Sequence, residues 1–238
     1  MALRAVSFHA AGTLFDPARP VGELYGMVAD RHGVHTDPAE LDGRFRRAFA
    51  SAPPLAFPGA ASGELRAREK AWWRAVVARV FDGIRFADFD AYFEDLFAFF
   101  ATAAAWRLDT DAFSLLGELR GRGLQILIVS NFDARVRAVM DALGLAPLVD
   151  QVTLSSEAGA AKPDPAIFAA ALAAARMGPA EVLHVGDTVR EDLEGGRAAG
   201  ICVLLVGGPE LAAAAPGVPV VARLGDVARW IAEHSTTG

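Results

Sequence analysis

The 238-residue chain reads as an α/β protein, a doubly wound parallel sheet with an all-helical domain inserted after its first strand. Three observations predict this. Short, apolar, β-branched runs near the start and through the second half alternate with helical patterns, as strands covered on both faces do. Residues 17–105 between them carry helical periodicity and no convincing strand. The residues capable of chemistry fall where the strands end, the side on which open α/β sheets bind ligands. The expected division is a core domain of residues 1–16 and 106–238 and a helical cap domain of residues 17–105. With 53% hydrophobic residues the chain can bury cores of this size.

The elements follow in order. Ala5 to Phe8 form a short buried strand that gives way at His9 to a loop turning at Gly12 and Thr13. Helices are expected over 21–33, 38–52, 62–82 and 87–104. The last is the clearest, because Phe89, Tyr92, Phe93, Leu96, Phe97 and Phe100 recur at i, i+3, i+4, i+7, i+8 and i+11 and make one apolar stripe. The proline-rich residues 51–59 split these helices into two pairs. Trp72, Trp73, Val76, Val77, Val80 and Phe81 read as the core of the bundle, with the lining of a substrate pocket as the other reading. Leu124 to Ser130 is a second strand; Asp133 can cap a helix over 134–143 that Gly144 ends. Asp164 and Pro165 start another helix, and 182–185, 201–206 and 218–221 are the remaining strands. Gly195, Gly196 and Gly200 permit close packing, and residues 207–217 look like a surface connection.

Composition excludes several functions. A net charge of −6 gives no basic surface for nucleic acid or anionic membrane. No run of apolar residues is long enough to span a bilayer. The single cysteine, Cys202, sits in an apolar strand and reads as a buried thiol in a reducing compartment. With no targeting signal legible, the expected location is the cytoplasm. The chain is expected to be a monomer or a homodimer.

The chemistry gathers at strand ends. Ser130 can donate to a phosphate oxygen, with Asn131 beside it. Lys162, just ahead of a helix start, suits an anion as a compact charge, although such a lysine alone is more often solvated. The strand ending at Gly186 leads into Asp187, and Asp192 follows five residues later as a helix begins. Two carboxylates over a strand end suit a hard cation such as Mg²⁺, and a plain helix cap is the other reading of Asp192. His184 lies inside that strand and reads as a core residue or as support for the site.

Taken in order, His9 to Thr13, Ser130, Lys162, and Asp187 with Asp192 resemble the four motifs of the haloacid dehalogenase-like hydrolase superfamily. Residues 20–25 and 128–133 are similar to a capped branch of it. The resemblance implies a Rossmann-like core with a helical cap and a phosphohydrolase site. In such a site an aspartate attacks phosphorus, a second aspartate two residues on acts as acid and base, the serine and lysine hold phosphate, and the last motif holds Mg²⁺. Here His9 stands at the nucleophile position and Ala11 at the acid/base position, so the side chains of both are lost.

Imidazole also binds Mg²⁺ poorly, so Mg²⁺ is expected to be weakened or absent. Losing a catalytic nucleophile costs on the order of a million-fold in one hydrolase series. The expectation is therefore an impaired or inactive phosphomonoester hydrolase that still binds a small phosphorylated molecule through Thr13, Ser130, Asn131 and Lys162, aided by a protonated His9. The alternatives are an active phosphatase with His9 as covalent nucleophile, or a transition metal held by His9, Asp187 and Asp192.

Overall fold

The computed structural model of the protein describes residues 3–234. Six parallel strands form one sheet. They are β1 (Ala5–Phe8), β4 (Gln125–Ser130), β5 (Gln151–Leu154), β6 (Val182–Gly186), β7 (Cys202–Val206) and β8 (Val220–Val221), in the order β5-β4-β1-β6-β7-β8. A separate antiparallel ribbon joins β2 (Phe15–Pro17) to β3 (Trp106–Leu108), with Phe15 opposite Leu108 and Pro17 opposite Trp106. It therefore brings together the two points where the chain leaves the sheet and returns to it.

The strands are apolar along their length because both faces are covered. In β4, Ile126 and Ile128 enter one hydrophobic cluster with Val6, Phe8 and Val185. Their neighbours Leu127 and Val129 enter another with Ala5, Ile167 and Phe168. Alternation with period two thus feeds two cores from one continuous apolar run. Each such fully buried side chain contributes about 1.5–3 kcal/mol. The helices α5 (Ala112–Gly121), α6 (Arg135–Ala142), α7 (Ser155–Ala158), α8 (Pro165–Ala175), α9 (Gly195–Ala198), α10 (Pro209–Ala214) and α11 (Val227–His234) connect or cover the strands.

Between β2 and β3 stand α1 (Val21–Arg31), α2 (Pro38–Ala50), α3 (Ser62–Val80) and α4 (Phe89–Phe99). They share a core of their own that includes Tyr25, Val28, Leu41, Val77, Tyr92 and Leu96. Asp37 and Asp88 set the starts of α2 and α4 by accepting from the backbone N–H of Ala39 and Ala91, at 2.9 Å each.

Five features depart from the sequence reading. Helix α4 ends at Phe99 rather than at 104, and the β2–β3 ribbon is a pairing that the sequence pattern does not show. Strand β5 does not stand out in the sequence; it is an edge strand whose first three residues are only half-buried, so it lacks the apolar run of its neighbours. Cys202 is exposed rather than buried, because it opens β7 before the buried stretch Val203–Leu205 begins. The connection over 207–217 contains α10, started by Pro209. Among the described residues no helix is long and apolar enough to cross a membrane.

Candidate active site

The register of the sheet assembles the site. Phe8 of β1 lies opposite Ile128 of β4 and Val185 of β6, so the carboxyl ends of three adjacent strands finish side by side. His9 and Asp187 follow directly from the ends of β1 and β6, and Ser130 is the last residue of β4. The His9 N–H donates to the Val185 carbonyl at 2.9 Å, which extends the ladder by one residue and fixes the imidazole over the sheet end. His9 is 8% exposed and Ser130 is fully buried.

Lys162 arrives from the loop before α8. Asn131 clasps its backbone from both sides: the Asn131 amide oxygen accepts from the Lys162 N–H at 2.7 Å, and its amide nitrogen donates to the Lys162 carbonyl at 2.9 Å. The side chain expected to touch substrate instead holds the lysine in place. Lys162 is itself buried and spans two partners, donating to Asp192 Oδ1 at 2.5 Å and to His9 Nδ1 at 2.9 Å.

Asp192 is the hub. Its Oδ1 also accepts from His184 Nε2 at 3.0 Å, while Oδ2 accepts from the Asp187 N–H at 3.1 Å, the Thr188 N–H at 3.0 Å and the Thr188 hydroxyl at 2.7 Å. Ser7 in β1 lies 2.9 Å from His184 Nδ1 and donates to it, because Nε2 carries the proton given to Asp192. Gly186 makes room for this hub, since a Cβ there would lie 2.2 Å from the Asp192 carboxyl carbon. Asp192 sits within a π-helical turn over Val189–Glu194, whose Thr188 cap receives the Asp192 N–H at 3.2 Å.

Asp187 stands apart from the hub. Its Oδ1 accepts from the Thr13 hydroxyl at 2.8 Å and lies 4.0 Å from His9 Nε2. Gly12 holds φ +109°, a conformation that glycine alone adopts freely, and a Cβ there would fall 2.6 Å from Asp187 Oδ2. Thr13, expected to touch substrate, is thus bonded to Asp187. The residues singled out in the sequence do meet, but most of their hydrogen bonds run to one another.

Electrostatics fix the charge states. Burial, with the Lys162 ammonium beside it, lowers the His9 pKa to about 3, so the ring is neutral near pH 7. The network also assigns its tautomer. An ammonium has no lone pair to offer, so Nδ1 must be the acceptor and Nε2 must carry the proton. Burial raises Asp192, but the hydrogen bond from His184 and the Lys162 charge outweigh it and hold the carboxyl far below its usual range. Burial and the Asp192 charge push Asp187 up to about 6. The protonated His9 expected from the sequence is therefore corrected to a neutral one, because burial and Lys162 act in the same direction.

The donor set does not fit Mg²⁺. Both Asp192 oxygens are spent on five protein donors. His9 offers a nitrogen that is already occupied, which leaves Asp187 as one carboxylate where hard cations want several oxygens. Among the described residues, no three His, Cys, Asp or Glu side chains converge as a metal site. A transition-metal site on His9, Asp187 and Asp192 meets the same obstacle.

Helix α3 closes the site from the other side. Trp73 donates to Asp133 Oδ2 at 2.5 Å, and Asp133 also takes Arg135 through Nε at 2.8 Å and Nη2 at 2.7 Å. The Arg135 guanidinium lies over the Phe97 ring at 3.9 Å. Glu69 Oε1 accepts from the Ala134 N–H at 3.1 Å and the Ser156 hydroxyl at 2.6 Å, and burial raises its pKa. Sequence reasoning missed both clasps. The signal was available, since Glu69 shares the stripe of Trp73, Val76, Val77 and Val80 at i, i+4, i+7, i+8 and i+11. Trp73 is therefore both bundle wall and clasp, and it lines a cavity of about 1260 Å³ that opens onto His9 and Lys162.

A model of haloacid dehalogenase-like hydrolases matches residues 3–200. Haloacid dehalogenase-like hydrolase domain-containing protein 3 of Homo sapiens is 36% identical over 212 residues, covering 87% of this chain and 83% of that protein. Among solved structures, L-2-haloacid dehalogenase from Xanthobacter autotrophicus superposes with a TM-score of 0.73 at 22% identity, covering 98% of this chain and 100% of the other. The HAD-hydrolase YfnB from Bacillus subtilis bound to magnesium gives a TM-score of 0.74 at 15% identity over 98% and 100%. At these identities the two structures speak to the fold.

Proposed function

The chain belongs to the haloacid dehalogenase-like hydrolase family, and on that premise we propose that it binds a small phosphorylated molecule while hydrolysing it poorly or not at all. One observation carries this. At the position where the family resemblance calls for an attacking carboxylate, His9 presents a neutral ring whose lone pair at Nδ1 is taken by Lys162. Ala11 supplies no acid for the leaving group. A nucleophile needs a free lone pair aimed at phosphorus, and the proton on Nε2 removes the other one.

Binding is the part that survives. Lys162 has three N–H donors and spends two on Asp192 and His9, so one remains for an anion. Ser130 Oγ lies 3.3 Å from His9 Nδ1, a nitrogen already better served by Lys162 at 2.9 Å, which leaves the hydroxyl free to turn to a phosphate oxygen. With a neutral histidine in place of an aspartate, the site repels an anion less by one charge.

The alternative keeps an active phosphatase with His9 as the covalent nucleophile; its form with His9 as a transition-metal ligand would require Asp192 to give up its present donors. Its support is the 4.0 Å approach of Nε2 to Asp187 Oδ1, a carboxylate that could take the ring proton. Both are tested by one assay, phosphatase activity with Mg²⁺ on an aryl phosphate for wild type, His9→Asp and His9→Ala. The proposal expects an inert wild type, and gain of activity in His9→Asp would show that only the nucleophile is missing. Wild-type activity that vanishes in His9→Ala supports the alternative, and purified-protein metal content then separates its two forms.

A further inference from the structure

The cavity has two chemically different ends, and the difference names the body of the ligand as well as its head. The sheet end presents His9, Asn131 and Lys162. Under the helical insertion the wall changes to Phe45, Phe49, Val77, Phe93, Leu96 and Phe100. The cations near the apolar end are already spent. Arg135 lines the cavity, but Asp133 takes its Nε–Nη2 edge in a bidentate pair, its Nη1 donates to the Phe97 carbonyl at 3.3 Å, and Phe97 and Trp73 cover its faces. Arg190, next to Glu191 in sequence, also lines the cavity at the sheet end, exposed and with no ion pair among the described residues. At the apolar end a second anionic group, or a polyhydroxylated body, would lose its water and gain no matching partner.

Phe49 adds an independent sign. It remains 46% exposed while stacked on Phe45 and Trp73 at the cavity wall, a large ring presented to solvent where an apolar ligand would cover it. We propose that the ligand is an amphiphile with a single anionic head, a phosphomonoester whose organic body is apolar and flat, with its head at Lys162 and Ser130 and its body between α2, α3 and α4. The head rests on the function proposed above; the body rests on the cavity wall alone. The cavity exceeds the 300–1,000 Å³ usual for small-molecule sites, so a fused ring system fits.

Calorimetry with four non-hydrolysable probes tests this on the full chain: methylphosphonate for the head, hydroxyethylphosphonate for a polar body, naphthylmethylphosphonate for head and body, and naphthylmethanol for the body alone. Naphthylmethylphosphonate should bind on the order of a hundredfold more tightly than the other two phosphonates. Phe49→Ser, which removes the ring without adding charge, should remove most of that gain and leave methylphosphonate unchanged. Equal affinity for all three phosphonates overturns the apolar body while leaving the phosphate head standing. Naphthylmethanol binding as tightly as naphthylmethylphosphonate, with no affinity for methylphosphonate, supports the body and refutes the head. Absence of binding by every probe refutes both.

Discussion

The protonation of His9 can be read in stability as well as in spectra. Its pKa falls from 6.5 to about 3 on folding. The unfolded chain therefore takes up a proton below pH 6.5 that the folded chain refuses. A depressed histidine stabilises the fold fully above 6.5, and the contribution drains away as pH falls through the window from 6.5 toward 3, at about 1.4 kcal/mol per pH unit. Asp187 acts with the opposite sign. Raised from 3.8 to about 6, it binds a proton in the folded state first, and acidification between those values returns stability at a similar rate. From pH 6.5 to about pH 5, His9 thus removes about 2 kcal/mol and Asp187 returns about 1.4 kcal/mol. His184, also lowered by burial, adds to the loss.

These partly cancel in the wild type, so a difference is the informative quantity. His9→Gln keeps an acceptor for Lys162 and removes the titration. Urea unfolding of both proteins should show the wild-type advantage over His9→Gln shrinking by about 2 kcal/mol between pH 6.5 and about pH 5. Nitrogen-15 correlation spectra should show His9 in the Nε2–H form, unchanged across the same range. An advantage independent of pH, a His9 midpoint near 6.5, or the Nδ1–H form would refute the assigned network and restore a cationic His9.

Three further outcomes follow from the same geometry. Asp192→Asn should destabilise by about 3–5 kcal/mol in denaturant titration, because it leaves Lys162 buried beside a neutral amide that cannot accept on both sides; a loss under 1 kcal/mol would mean that the lysine escapes to solvent. Glu69→Gln should be within about 1 kcal/mol of wild type at pH 7, since the amide oxygen still accepts from Ala134 and Ser156. Glu69→Ala should cost about 1–3 kcal/mol by leaving both donors without a partner. Gly12→Ala should cost about 1–3 kcal/mol by forcing a positive φ and pushing Asp187 aside, read as a lower urea midpoint; an unchanged midpoint would show that the turn relaxes.

The sequence makes the fold and the membership of the site readable for different reasons. The helices α1–α4 are legible as elements because apolar residues recur at helical spacing between proline-rich and aspartate starts, while their ends are read too far, the last stopping at Phe99 rather than 104; β1, β4 and β6 are legible because both of their faces are covered. Strand β5 hides because an edge strand needs fewer apolar residues. The motif residues are identifiable one by one, yet their partners are not. Asn131 and Thr13 point to ligand contact by type, and only the tertiary arrangement shows that one holds the Lys162 backbone and the other Asp187. Glu69 and Asp133 bridge elements far apart in sequence; the apolar stripe that Glu69 shares marks it as inward-facing, but no local pattern names the partner on the other element.

That arrangement also explains how the site tolerates a histidine where its family resemblance calls for an aspartate. Lys162 needs an acceptor on each side once it is buried, and Nδ1 of a neutral imidazole meets that need as a carboxylate oxygen would. Charge balance does not depend on His9, because Asp192 already neutralises the lysine within a cage of four further donors. A neutral His9 adds no negative charge on the open side of the site, where burial and the Asp192 charge push Asp187 toward protonation. An aspartate restored at position 9 would lie within reach of both Lys162 and Asp187 and would raise the latter's pKa further unless a cation entered between them. An expected outcome follows: His9→Asp should unfold in urea within about 1 kcal/mol of wild type, because the buried contacts of Lys162 and Asp192 do not need the imidazole, and a larger loss would show that they do.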